Sequence, residues 1–399
     1  MIRNFKPRLI SLRVHIYKHL SDLFPLAVAY AFLQIIVALF LKPNGFFPVS
    51  LGIDWFEKMW WLDHLISDLS SVILCLLYSL FVTLIVCDYL GSSKSRPLPT
   101  IFSFLFTWLM YSTIHLGMGQ KEYTYPAWML LIGTSVLIVA LVKLGRRFFS
   151  KIPYMDWITF IGGIYGTQLL ANKFTFRDIL TNLQGLWSLA VSWEPVHYYS
   201  VAAWSLVGPV CVFLGIPVPE FLSNPTADLD SATTNMTAVL SQQKVPYPFT
   251  LYTLQNSFAI IGGVGFLFGL ALSIYIFHKK QGKRLGARYT LSVIAMLFNQ
   301  PLPFLMAYPI LLNPILLIPM LLSTLVSIAI GVLAIYSKVV FPSLYTVPTG
   351  TPHILFAYLA SNACLGYLIL IPLVIAVSTT IYYPFVKKLY KEDVISEKA

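Results

Sequence analysis

Long uninterrupted apolar runs are the feature that most restricts what this chain can fold into. Segment 313–337 is almost entirely apolar, and about 20 such residues are enough for a helix to cross a bilayer. Charged residues make up 11% of the chain, whereas a soluble domain carries about 25%. The runs are continuous rather than alternating, which disfavours an outer-membrane barrel. The sequence therefore predicts an all-α polytopic membrane protein.

The apolar runs predict ten crossings of the bilayer. They lie at 23–41, 67–88, 99–118, 126–144, 155–171, 179–193, 197–215, 253–277, 313–337 and 362–386. The three runs between 155 and 215 are less clean, because Asp156, Asp178 and Glu194 stand at their ends. A single crossing in that region would keep the same parity and give eight, but we expect ten.

The positions of the basic residues predict the orientation. Clusters follow the second, fourth, eighth and tenth crossings: Lys94 and Arg96; Lys143, Arg146, Arg147 and Lys151; Lys279, Lys280, Lys283, Arg284 and Arg288; Lys387, Lys388 and Lys391. Because basic residues favour cytoplasmic loops, both termini are predicted to be cytoplasmic and the polar stretch 217–248 to be outside. The net charge of +11 is thereby explained by the membrane rather than by a nucleic-acid partner.

The chain is predicted to have four regions. Residues 1–22 form a basic amphipathic helix on the cytoplasmic leaflet of the membrane. Residues 23–195 form an N-terminal transmembrane region, and residues 196–390 form a C-terminal transmembrane region. Residues 391–399 form a cytoplasmic tail.

Two apolar segments contain too many prolines to be plain membrane helices. Segment 299–314 has four prolines, and segment 341–353 has Pro342, Pro348 and Pro352 with Gly350. Each proline removes a backbone donor and clashes with the preceding turn. Irregular backbone survives at membrane depth only where protein or a water-filled cavity covers it. We therefore predict two re-entrant hairpins, which in transporters often mark the substrate site.

Polar residues in and near these segments are the candidate binding residues. The amides of Asn299, Gln300 and Asn313 are costly in a membrane unless they bind a ligand or satisfy freed backbone groups, and both readings stay open. Glu194 and His197 lie in an aromatic stretch that suits either sugar stacking or anchoring at the membrane boundary.

Signatures of catalysis and of cofactor binding are missing from the sequence. It has no His-Glu-x-x-His motif, no paired carboxylates in a span and no serine-nucleophile elbow. The glycines in 261–265 lie in an apolar helix without a following Walker lysine, which favours close helix packing or a helix break over a nucleotide site. We expect no metal and no cofactor.

From Thr250 onward the chain resembles the enzyme IIC membrane component of bacterial phosphotransferase systems, in the lactose and cellobiose/chitobiose branch. The resemblance is carried by the Gly-Gly-Val-Gly helix at 258–265, the basic loop at 279–286, Phe298-Asn299-Gln300-Pro301 with the Pro-Ile-Leu-Leu-Asn-Pro block at 309–314, Val347-Pro348-Thr349-Gly350-Thr351-Pro352, and 381–385. It implies ten spans, two re-entrant hairpins and a homodimer, with residues 23–195 as the dimer scaffold and residues 196–390 as the substrate-binding region. It also implies that a sugar is carried inward and phosphorylated by a separate phosphocysteine protein. That partner would dock near Lys279, Lys280, Lys283 and Arg284.

Two departures from the family pattern concern phosphoryl coupling. The family's signature glutamate falls on Gln300, or on Leu302 if the block is aligned without a gap, and its histidine falls on Val207. A glutamine can hydrogen-bond but cannot accept a proton as a base. The sequence thus predicts a divergent sugar permease with weak or absent coupling. The alternative is a sugar-binding membrane receptor or regulatory scaffold that does not transport.

Overall fold

Helices make up the regular structure of the part of the chain that the structure describes. This computed structural model describes residues 5–53, 55–90, 97–112, 125–149, 155–173, 176–190, 195–225 and 230–391. Within those ranges the extended backbone forms one isolated bridge, between Gly45 and Thr349. The predicted all-α class is confirmed.

The N-terminal half consists of nine α-helices and one short π-helix over the described ranges. They are α1 (Phe5–Asp22), α2 (Phe24–Ile36), π1 (Val37–Leu41), α3 (Phe46–Leu51), α4 (Trp55–Lys58), α5 (Trp60–Leu90), α6 (Pro97–Ser112), α7 (Trp128–Phe149), α8 (Met155–Ala171) and α9 (Phe176–Ala190).

The C-terminal half is more interrupted, with many short helices between the long ones. Its elements are α10 (Tyr198–Leu214), α11 (Glu220–Ser223), α12 (Asp230–Leu240), π2 (Leu251–Ala259), α13 (Leu267–Lys280), α14 (Ala287–Leu297), α15 (Leu302–Ala307), α16 (Pro314–Tyr336), α17 (His353–Ala360) and α18 (Gly366–Lys391).

Four helical segments in the described ranges are long and apolar enough to cross a bilayer. They are Phe24–Leu41, Trp60–Leu90, Pro314–Tyr336 and Gly366–Lys391. Shorter apolar helices lie at four other predicted crossings: Leu98–Tyr111, Trp128–Leu144, Phe160–Ala171 and Tyr198–Leu214. The end of the predicted crossing 99–118 lies outside the described residues. The total of ten remains a prediction.

The predicted crossing at 253–277 is wrong as a single helix. The chain forms π2, then an irregular turn at 260–266, and then α13. Gly262, Gly263 and Gly265 have φ angles of +77°, +120° and +84°, and a right-handed helix requires a negative φ. The turn therefore divides this apolar run into two short helices, which confirms the helix break among the readings of its glycines.

Helix α1 packs into the protein as well as being amphipathic. Ile16 and Leu20 are 2% and 1% exposed and belong to the N-terminal core with residues of α2, α5 and α7. The His19 Nε2 atom lies 2.7 Å from the Asp88 Oδ2 atom, which ties α1 to α5. The apolar face predicted to enter the lipid thus covers other helices over this part of its length.

Three basic parts of the chain meet at one end of the molecule. The Lys280 Nζ atom lies 4.8 Å from the centre of the Tyr383 ring, and Phe277 stacks on Tyr390, so α13 and α18 end side by side. The Arg288 Nη1 atom donates to the Ser21 Oγ atom, which brings the start of α14 to the end of α1. The clusters at 279–288 and 387–391 therefore share an end with the junction of α1 and α2.

Candidate functional site

The turn at 260–266 is the centre of the C-terminal core. Every residue in it is buried, and Phe266 adopts a positive φ in addition to the three glycines. Two tyrosines from distant parts of the chain hold its backbone. The Val264 N–H donates to the Tyr125 hydroxyl over 2.6 Å, and the Tyr382 hydroxyl donates to the Gly265 carbonyl. We call residues 260–266 the central turn.

The central turn contacts both the first proline-rich segment and α10. A Cβ atom at Gly263 would lie 3.1 Å from the Pro301 Cβ atom, so the first proline-rich segment touches the turn. A Cβ atom at Gly208 would lie 2.6 Å from the Val264 Cγ1 atom, which places α10 on the same turn. The residue next to Gly208 is Val207, where the family has histidine. These segments are far apart in sequence and adjacent in the fold.

The first proline-rich segment folds as a pair of short helices. Helix α14 ends at Leu297, a turn with Asn299 at a φ of +59° follows, and α15 then packs against α14. A second turn at 308–313 leads into α16. The side chains of Asn299 and Gln300 are partly exposed, and no hydrogen bond is assigned to either amide among the described residues. These two amides are polar groups of this segment that have no assigned partner.

The side chain of Asn313 forms hydrogen bonds with backbone groups at both of its polar atoms. Its Oδ1 atom accepts from the Ile315 N–H over 3.2 Å, which caps the N-terminus of α16, and its Nδ2 atom donates to the Pro309 carbonyl over 2.7 Å. The first N–H groups of a helix have no partner within the helix. The contacts of Asn313 therefore correspond to the satisfaction of freed backbone groups.

Helix α1 also holds the second turn of this segment. The Tyr17 hydroxyl donates to the Tyr308 carbonyl over 3.0 Å and accepts from the Leu311 N–H over 2.9 Å. Burial raises the pKa of Tyr17, so its hydroxyl keeps the proton that it donates. Both groups that Tyr17 satisfies are backbone groups next to Pro309, where the helix is interrupted.

The second proline-rich segment, 341–353, is non-helical up to α17. The Leu344 and Tyr345 N–H groups both donate to the Ala360 carbonyl, which folds the segment back on α17. At its tip, the Thr349 N–H donates to the Asn44 carbonyl over 2.8 Å. The segment thus reaches from the C-terminal core to the end of π1.

Both proline-rich segments reach the same stretch of the first apolar helix. A Cβ atom at Gly350 would lie 2.9 Å from the Ala38 carbonyl and 3.1 Å from the Leu39 side chain. Leu39 and Phe298 pack against one small cluster formed by Ala31, Ile35 and Ala295. The turn that carries Asn299 and the tip that carries Gly350 are thereby brought towards each other across α2 and π1.

His197 lies away from both proline-rich segments. It is exposed at the start of α10, and its ring stacks on Tyr199 with centroids 5.3 Å apart. Its contacts in the described part of the chain are with neighbours on the same helix and not with either proline-rich segment. Glu194 lies outside the described residues.

A buried polar cluster on π2 escaped the sequence analysis. Tyr252, Thr253, Gln255, Asn256 and Ser257 are each at most 4% exposed. They contact segment 341–353, helix α11 and the chain directly after α11. The bonds are those of the Tyr252 hydroxyl with the Tyr345 carbonyl, Thr253 Oγ1 with the Ser343 carbonyl, Ser257 Oγ with Ser343 Oγ, Gln255 Nε2 with the Leu222 carbonyl and Asn256 Nδ2 with the Pro225 carbonyl. The sequence feature that could have revealed this cluster is the concentration of five polar residues around the start of the apolar run 253–277.

His353 completes this polar cluster at the start of α17. Its Nε2 atom lies 3.1 Å from the Asn256 carbonyl oxygen and 3.2 Å from the Asn256 Oδ1 atom. Its Nδ1 atom and the Gln255 Oε1 atom are buried without a hydrogen-bond partner among the described residues. We call Gln255, Asn256 and His353 the histidine cluster. The described residues contain no group of three or more His, Cys, Asp or Glu side chains suited to a metal ion.

Comparison with known proteins agrees with the sequence motifs. The lichenan permease IIC component of Bacillus subtilis (strain 168) is 30% identical to this chain over 168 residues, which are 41% of this chain. The match covers 36% of that protein, so the chain spans about a third of the length of the curated relative. No protein-family model matches the chain.

Among solved structures, the chain is similar to the transporter ChbC, the IIC component from the N,N'-diacetylchitobiose-specific phosphotransferase system. The TM-score is 0.44 and the identity 17%, with 100% of this chain and 98% of that chain covered. The curated match confirms the resemblance to enzyme IIC components seen in the motifs. Together with the long apolar helices, it identifies the chain as a multi-pass integral membrane protein.

Proposed function

We propose that this chain is the permease subunit of a phosphotransferase-type system and carries an oligosaccharide or related glycoside across the cytoplasmic membrane. The observation that carries this proposal is the meeting of the central turn with Pro301 and Gly208. Two motifs of the family resemblance meet at that point, together with the segment around Val207. The named function of the lichenan permease IIC component adds support.

We place the sugar beside Asn299 and Gln300. Their amides are partly exposed and next to Pro301, which touches the central turn. An amide offers both donors and an acceptor to sugar hydroxyls. Asn313 shapes the site by fixing the start of α16. His197 and Glu194 stay proposed contacts for a sugar near the start of α10, where the aromatic ring of Tyr199 offers a stacking face.

We also propose that phosphoryl coupling is weak or absent. Gln300 or Leu302 stands where the family has a glutamate, and Val207 stands where it has a histidine. Loss of a general base typically costs a factor of about 10² to 10⁴ in rate. The exposed side chains of Lys279, Lys280, Lys283 and Arg284 still form a surface on which an acidic phosphocarrier can dock. We expect the assembly to be a homodimer formed through the N-terminal region.

The test is uptake of labelled cellobiose into proteoliposomes, with and without a phosphorylated partner protein. We expect the label to equilibrate as free sugar, and the Gln300→Glu variant to give more sugar phosphate. Accumulation as sugar phosphate at a rate ordinary for the family would contradict weak coupling. Binding without any flux would favour the receptor or scaffold alternative.

A further inference from the structure

We propose that the histidine cluster is a second polar part of the sugar site and that His353 and Gln255 accept hydrogen bonds from sugar hydroxyls. This inference rests on the proposed sugar-binding function and adds a location and two residues to it. No family motif discussed above includes Gln255, Asn256 or His353. The argument depends on which atoms of these side chains are donors and which are acceptors.

The contacts of Asn256 determine the tautomer of His353. The Asn256 Nδ2 atom donates to the Pro225 carbonyl over 3.1 Å, so its Oδ1 atom is free to accept. The His353 Nε2 atom faces that Oδ1 atom and the Asn256 carbonyl, and both oxygens are acceptors. The Nε2 atom must therefore carry the proton. In a neutral imidazole the other nitrogen, Nδ1, is then an acceptor.

Gln255 presents a second acceptor by the same reasoning. Its Nε2 atom donates to the Leu222 carbonyl over 2.9 Å, so its Oε1 atom is the acceptor end of the amide. That oxygen and the His353 Nδ1 atom are both buried without a donor among the described residues. The side chains themselves are 1% and 6% exposed. Gln255 and His353 are thus two buried side chains, one on π2 and one packed against it, that each carry an acceptor without an assigned donor.

A ligand rich in hydroxyl groups meets this need. A buried acceptor without a partner destabilises a protein, and most buried polar atoms in native structures have a partner. A sugar supplies several hydroxyl donors at neighbouring carbons. Ordered water would satisfy the same two atoms, so the test must separate sugar from water.

The location fits a substrate site. Residues 251–259 form a π-helix, which is rare and frequently occurs at functional sites. The π-helix runs directly into the central turn, which Pro301 touches next to the two amides without an assigned partner. His353 lies at the end of the other proline-rich segment. Residues 251–266 therefore border both proline-rich segments, one at each end.

The decisive variant is His353→Gln, tested in the full chain in lipid nanodiscs with labelled cellobiose and N,N'-diacetylchitobiose. Glutamine places an amide nitrogen near the position of the imidazole Nε2 atom, so the bond to Asn256 and the fold are kept. Nothing then replaces the Nδ1 acceptor. We expect about tenfold weaker binding, which corresponds to about 1.4 kcal/mol. His278→Gln is the matched control, because His278 is also buried but lies on α13 and contacts Ile274.

Two further measurements keep the proposal testable if His353→Gln does not fold. Gln255→Met keeps the side-chain length and removes the Oε1 acceptor, and it should also weaken binding about tenfold. In the unmutated chain, saturating cellobiose should shift the NMR resonance of the His353 imidazole Nδ1 atom, because that atom would gain a hydrogen-bond donor.

The outcomes are separable. A folded His353→Gln or Gln255→Met variant that binds sugar like the unmutated chain would overturn the inference and show that water fills the cluster, while sugar transport would stand. A His353 Nδ1 resonance that is unchanged by saturating cellobiose would also overturn it. Failure of the unmutated chain to bind any glycoside would sink the proposed function, and this inference with it.

Discussion

Glycine is required in the central turn for two separate physical reasons. The first is conformation, because Gly263 has a φ of +120°, which side chains other than glycine rarely adopt. The second is space, because the Tyr125 hydroxyl, Leu267 and Pro301 all lie within 3.1 Å of the position of a Cβ atom. Gly208 on α10 has only the second reason, since its φ is not positive. It therefore offers a clean test of packing.

We expect Gly208→Ala to destabilise the protein by about 1–3 kcal/mol, the usual cost of overpacking a core. The new methyl group would lie 2.6 Å from the Val264 Cγ1 atom. Combining it with Val264→Ala should recover part of the loss, because the two sites share one contact. The measurement is thermal unfolding in detergent. If the two effects simply add, the contact between α10 and the central turn is not as described.

Asn313 allows a test of capping inside a proline-rich segment. We expect Asn313→Leu to lower the free energy of unfolding by about 1–3 kcal/mol, because the Ile315 N–H and the Pro309 carbonyl would both lose their partner. Asn313→Asp keeps an acceptor for the Ile315 N–H and should cost less. Equal melting temperatures for all three proteins would contradict the capping role. A loss of cellobiose binding larger than the loss of stability would show a direct ligand contact.

At the scale of elements, the two proline-rich segments depend on helices from the other half of the chain. Helix α1 satisfies backbone groups at 308–311 through Tyr17, and π1 receives Thr349 and Gly350. A proline-interrupted segment cannot satisfy all its own backbone groups. Helix α1, π1 and the turn after π1 supply some of the missing partners. An element predicted to lie on the membrane surface is in this way a structural part of the site.

Tyr17→Phe tests this dependence. Removing the hydroxyl leaves the Tyr308 carbonyl and the Leu311 N–H without a partner, which should destabilise the segment by about 1–3 kcal/mol. We expect faster hydrogen exchange at 308–313 with little change in α16. Tyr89→Phe is the control, because Tyr89 is 46% exposed. Unchanged exchange at 308–313 would mean that α1 is not needed to hold the turn.

At the scale of the whole molecule, the gathering of basic residues at one end agrees with the charge pattern of the sequence. The ends of α13 and α18 lie side by side, and Arg288 reaches Ser21. Cytoplasmic loops are enriched in lysine and arginine. The structure thus brings two of the clusters that sequence parity assigns to the cytoplasm, at 279–288 and 387–391, to a common end with the end of α1.

Labelling of single cysteines tests the orientation. In a background without Cys75, Cys87, Cys211 and Cys364, a cysteine at Lys283 should react only from the cytoplasmic side. A cysteine at Asp230 should react only from the outside. Both positions are exposed, so lack of reaction would report the membrane barrier rather than burial. Reaction of both from the same side would overturn the predicted topology.

The sequence by itself determined the class of the protein and the places where its helices break. Apolar runs with few charges leave no choice but a membrane, and prolines and glycines act on the backbone locally, so 299–314, 341–353 and the glycines at 262–265 could be identified without a structure. The predicted orientation was also accessible, because it requires only counting which predicted crossings the basic clusters follow. The family motifs could also be recognised from the sequence, because each lies in one short stretch of chain.

Tertiary structure decided what the polar groups of those segments do. Asn299, Gln300 and Asn313 are alike as amides, but only in the fold does Asn313 meet Pro309 and Ile315, and no rule of spacing predicts that. His353 and Asn256 are 97 residues apart, and their contact exists because the second proline-rich segment folds back on π2. Hydrogen bonding and close packing act between atoms a few ångströms apart, whatever their separation along the chain, so the roles of these residues follow from the fold.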